Sequence, residues 1–89
     1  MQTITQIQTT DGARISKRLL NHWKHKFEVS QSDTHLQIFM PEYTITLTPH
    51  ADVLDVLIES QQSDLSHIQN VVLNHLNRMA HQEFTATWQ

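Results

Sequence analysis

The spacing of apolar positions switches along the chain between a period of two and a period of about 3.6 residues, the signatures of strand and helix. It begins with TITQIQT (residues 3–9), rich in β-branched side chains but poorly alternating. That pattern predicts a short strand at a sheet edge. Thr10 or Asp11 in the following TTDG offers a helix N-cap. From Ala13 to about Lys26 the period is helical: Ile15, Leu19, Trp23 and Phe27 form one stripe, with Leu20 beside it. Arg14, Lys17, Arg18, Asn21, Lys24 and His25 occupy the other side, and His22 lies at the boundary.

Strand-like runs follow. FEVS is short; HLQIFM places Leu36, Ile38 and Met40 on one face, YTITLT places Tyr43, Ile45 and Leu47, and VLDVLIES places Leu54, Val56 and Ile58. Pro41-Glu42 and Pro49 to Asp52 predict the turns between them. A second helix from about Asp64 to Ala80 carries Leu65, Ile68, Val72, Leu76 and Met79 on its apolar face, with Ser63 or Asp64 as cap. EFTATW then predicts a last strand with Phe84, Ala86 and Trp88 on one side. The expected order is β-α-β-β-β-β-α-β. Alternation with polar partners predicts an antiparallel sheet with one wet face. Both helices must then cover its other face, giving an α+β two-layer sandwich. No repeat, linker or composition break divides the 89 residues, so one domain over residues 1–89 is expected.

Composition changes this picture by exclusion. Without cysteine there is no disulfide, thiolate nucleophile or cysteine zinc site. The opening MQTITQIQTTDG lacks both a basic and an apolar run, and no stretch approaches the roughly 20 apolar residues of a membrane span. The expectation is a cytoplasmic protein with no membrane partner. The single glycine, Gly12, rules out a glycine-rich phosphate loop or dinucleotide fingerprint. No serine sits in a nucleophile elbow and no His-Glu-x-x-His is present.

Charge changes it more. The net charge of −3 conceals a cluster: five of the six Lys and Arg residues (Arg14, Lys17, Arg18, Lys24 and Lys26) fall in a window without a single acid. One basic element on an acidic body is an anion-binding candidate for phosphate, a carboxylate-rich ligand or an acidic protein. Nucleic acid fits less well, since the protein is acidic overall and Trp23 lies on the apolar side of its helix.

The stretch LNHWKHK adds imidazoles to that cluster. His22 and His25 stand at i and i+3, close enough to share one ion. His75, between Ile68 and Val71 on the second helical wheel, approaches His22 if the helices pack side by side. Three imidazoles would then make a His₃ transition-metal site. The competing reading is structural: basic groups favour a helix C-terminus, and a histidine on an apolar face belongs to the core. Arg78 and Glu83 are spaced for an ion pair fixing the last helix–strand corner.

Two stretches, ARISKRLLNHWKHKF and VVLNHLNRMAHQEFTATW, resemble the two ends of the bacterial family catalogued as domain of unknown function 2218. The resemblance spans nearly the whole chain. The chain departs from the family pattern at Met79, His81-Gln82 and Glu42-Tyr43. It implies a small single-domain bacterial protein, brings no activity with it, and selects His22, His25, Lys26, His75, Arg78 and Glu83 among the polar residues. The resemblance also implies an iron–siderophore context, and with it a metal chelate as a ligand class.

The leading functional expectation is thus a binding or accessory module rather than an enzyme. Its ligand would be anionic or a metal chelate, contacted by Arg18, His22, His25, Lys26, His75, Arg78 and Glu83. No cofactor is required by the sequence. Two alternatives compete: a metal-dependent enzyme with His22, His25 and His75 as ligands and Glu83 as base, and an interaction domain that dimerises through a sheet edge or through Val53 and Leu57.

Overall fold

Alternating apolar residues build the sheet. In the computed structural model, which describes residues 1–89, five strands pair in the order β1-β5-β4-β3-β2, every pair antiparallel. They are β1 (Gln2–Gln8), β2 (Glu28–Gln31), β3 (Leu36–Phe39), β4 (Tyr43–Pro49) and β5 (Val53–Ser60). Two helices, α1 (Gly12–Trp23) and α2 (Ser66–Ala80), cover one face. The result is the expected α+β sandwich. Strands β2 to β5 form a meander, and Pro41-Glu42 makes the two-residue turn between β3 and β4, closed by reciprocal Met40–Tyr43 backbone bonds.

The core lies between the layers as one cluster of 16 buried side chains. The inward residues are those the alternation selects: Leu36 and Ile38, Ile45 and Leu47, Leu54, Val56 and Ile58 are all buried. Each such side chain contributes roughly 1.5–3 kcal/mol by leaving water. The helical stripes meet them through Ile15, Leu19, Leu20 and Trp23 from α1 and Ile68, Val72 and Leu76 from α2.

Strand β1 is the edge its poor alternation predicts, and it faces inward with Thr3, Thr5 and Ile7 while Ile4 is exposed. Both buried threonines are satisfied. Thr3 Oγ1 accepts from Gln69 Nε2 of α2 at 2.9 Å, and Thr5 Oγ1 donates to the Thr87 carbonyl at 3.0 Å. Helix α1 is the crossover from β1 at one sheet edge to β2 at the other. Its 12 residues extend about 18 Å, close to the ~19 Å of four strand spacings. Gly12 lets it enter close to the sheet, since a Cβ there would lie 3.3 Å from the Cβ atoms of both Leu54 and Pro49.

Two sequence expectations need correction at the chain's C-terminal end. The segment 83–89 is not a sixth strand. It lies beside β1 with a single reciprocal backbone pair, Ile4 with Gln89 (2.9 and 2.8 Å). Phe84, Ala86 and Trp88 turn inward against the core instead, and Thr5 takes the Thr87 carbonyl that a continued ladder would use. The tail therefore plugs the open side of the sandwich. The Arg78–Glu83 pair is also absent, both residues being exposed, because exposed ion pairs gain little against side-chain entropy. Asn77 fixes that corner instead: its Oδ1 accepts from the Phe84 amide at 2.9 Å, and its carbonyl accepts from the Gln82 amide at 3.2 Å.

Candidate functional site

The helical layer holds the groups selected from the sequence, and its seam orders them. Arg18 of α1 donates from Nη1 to the Met79 carbonyl of α2 at 2.9 Å. One turn further along α1, the His22 ring lies 5.5 Å, centroid to centroid, from the His75 ring. Positions rise on one helix as they fall on the other, so the helices run antiparallel, with Arg18 opposite Met79 and His22 opposite His75. Trp23 forms the floor of the seam. It is buried, and its ring lies 4.7 Å from that of His75 and 6.3 Å from Phe27.

Each seam residue has a physical reason to be there. Arg18 places a cation on the last-turn carbonyls of α2, where the helix dipole favours positive charge. His75 packs its ring on Trp23 and uses Nδ1 within its own helix, 2.7 Å from the Val71 carbonyl. A carbonyl can only accept, so Nδ1 donates and, in the neutral ring, Nε2 carries the lone pair. His22 is exposed. Arg78, one turn beyond His75, is exposed as well.

The three-histidine metal site does not form. His25 lies past the end of α1, in the turn that follows Trp23, and no group of three His, Asp or Glu side chains is placed to hold an ion. The metal-dependent enzyme reading loses its geometric premise with it. Lys26, in the same turn, extends its Nζ over the Phe27 ring at 5.5 Å. Glu83 is exposed at the start of the tail. Of the other histidines, His35 bonds Ser32 and Thr34 in the β2–β3 loop, His50 reaches Asp55 at 2.8 Å, and His67 and His81 are exposed.

Charge is sorted by layer. All six Lys and Arg residues lie on α1, on α2 or in the turn directly after α1, and neither helix contains an acid. All nine acids lie elsewhere. Glu28, Asp55 and Glu59 stand on the uncovered face of the sheet, and Asp11, Asp33, Glu42, Asp52, Asp64 and Glu83 lie in loops. Near the start of α2, the Ser66 amide and then its hydroxyl hydrogen-bond to Asp64 and hold its carboxyl below the ordinary value of 3.8.

The principal clefts of the molecule lie away from the seam. One of about 420 Å³ opens between β1 and the tail, lined by Gln6, Gln8, Thr85 and Thr87 among others. A second of about 500 Å³ opens at the β3–β4 turn beside Met1. The exposed side chains of His22 and Arg78 open the seam to solvent.

Comparison with known proteins agrees with this fold. A family of uncharacterised proteins conserved in bacteria, DUF2218, matches residues 4–89. The NMR structure of PA4090 from Pseudomonas aeruginosa superposes with a TM-score of 0.83 at 36% identity, over 99% of this chain and 94% of that one. No curated protein matches the chain. No helix is long and apolar enough to cross a membrane.

Proposed function

We propose that this chain, which belongs to the bacterial family DUF2218, is a binding module whose helical layer takes an anionic ligand along the α1–α2 seam. The observation that carries the reading is the sorting of charge: every Lys and Arg of the chain is on the two helices or in the turn directly after α1, and neither helix contains an acid. A dicarboxylate, a phosphate group or a negatively charged metal chelate would meet Arg18, His22, His75 and Arg78, with Lys26 and His25 at one end. Glu83 is outside this reading, since its charge has the wrong sign.

The seam supports binding better than catalysis. It supplies donors and positive charge, but no base beside a nucleophile. Exposure also sets the scale: each solvent-facing cation contributes roughly 0.2–1 kcal/mol to holding an anion.

Titration of ¹⁵N-labelled protein with citrate, and separately with inorganic phosphate, tests the proposal. Amide shifts should concentrate in residues 14–26 and 75–81 and shrink as salt rises. Arg78→Ala should weaken binding roughly two- to fivefold. Shifts confined to the cleft between β1 and the tail, or none at millimolar citrate, would overturn it.

A further inference from the structure

His22 and His75 face each other across the seam with ring nitrogens to spare. No hydrogen bond within the chain engages either nitrogen of His22, and His75 uses only Nδ1. The arrangement at His75 is the one metal-ligating histidines adopt. One ring N–H is anchored on a backbone carbonyl, which fixes the tautomer and orientation and leaves the other nitrogen as a ligand. Packing against Trp23 at 4.7 Å holds the ring in place.

The spacing suits a shared ion. A transition ion lies about 2.0–2.1 Å from a ligating imidazole nitrogen, so two rings on one tetrahedral ion have centroids ~5 Å apart. The observed separation is 5.5 Å, within reach of a small rotation of the exposed His22 side chain. We propose that His22 and His75 form a two-imidazole clip for one transition ion, joining α1 to α2.

The donor set defines the ion. Two neutral imidazoles without a carboxylate select Cu²⁺, Ni²⁺ or Zn²⁺ over Mg²⁺ and Ca²⁺. They leave at least two coordination positions for water or for donor atoms of a small ligand. The neighbouring cations oppose a bare dication, an effect screened beyond about 8 Å at physiological salt. Affinity for the ion alone is therefore modest, and anionic donors in the open positions increase it. The clip goes beyond the anion reading and is separable from it: the clip needs lone pairs, the anion site needs positive charge.

The adjoining Trp23 supplies the readout. In a Trp88→Phe background Trp23 is the sole tryptophan, and its fluorescence should be quenched by Cu²⁺ saturably, at one equivalent. His22→Ala and His75→Ala should each weaken this quenching by ~100-fold through loss of chelation, and His25→Ala should leave it unchanged. His22 is exposed, so its removal leaves the core intact. In the natural sequence, Ni²⁺ should raise Tm, as any ligand of the folded state does, and should not do so in His22→Ala. Quenching that survives His22→Ala, or none at equimolar Cu²⁺, overturns the clip. Arg78→Ala keeps the two proposals apart: Arg78 belongs to the anion site and has no lone pair to give an ion, so Cu²⁺ quenching should persist there while phosphate binding weakens.

Discussion

Ser16 is the residue whose polar atom the fold leaves alone. It lies in α1, fully buried, and its Oγ has no hydrogen-bond partner. A desolvated hydroxyl without a partner costs about 1–3 kcal/mol, and alanine is also the better helix former. Ser16→Ala should therefore stabilise the protein by about 1 kcal/mol, read as a higher urea midpoint at unchanged m. A lower midpoint would mean that the hydroxyl has an unrecognised partner. On the helical wheel Ser16 falls inside the apolar stripe, between Trp23 and Leu20, so its burial follows from the sequence, whereas the missing partner of its hydroxyl is visible only in the fold. His22 and His75 were legible, because their positions on the two wheels turn both toward one seam. His25 was misread as their partner, since i, i+3 spacing has its meaning only inside a helix, and α1 ends at Trp23.

At the scale of elements, the C-terminus of α2 is held against a local cost. His81 occupies the left-handed region at φ 56, ψ 38, the only non-glycine residue with positive φ. Its position is the one glycine ordinarily takes at a helix end. The Gln82 and Phe84 amides, both bonded to Asn77, hold the turn. His81→Gly should relieve about 1 kcal/mol of this strain, raising Tm by roughly 4–8 °C for a domain of this size. An unchanged or lower Tm would show that the His81 side chain supplies compensating contacts. The strands and helices themselves were legible from periodicity. The tail was not, because alternation in EFTATW reads alike for a strand paired in a sheet and for one that turns its apolar side into an open flank. What decides between them is the Thr5 hydroxyl of the adjoining β1, which takes the Thr87 carbonyl. The same blindness applied to the Arg78–Glu83 corner, where a backbone-directed asparagine prevails over a surface ion pair.

At the scale of the molecule, the crossover helix and the meander together explain why the charges separate. The basic window of the sequence is α1, and the sandwich places α1 beside α2, the other helix without acids, on one side of the sheet. The acids on outward strand positions necessarily take the opposite side. The clustering was visible along the chain, but its completion by Arg78, 52 positions after Lys26, needed the fold. One consequence concerns how the protein meets surfaces. With a net charge of −3 and a pI near 6.1, it is on average an anion at neutral pH. Yet its dipole lets it turn its helices to a negative surface and its bare sheet to a positive one. At low ionic strength, cation- and anion-exchange resins should both retain it, each gripping a different side, and the average charge alone would foretell only one of those outcomes.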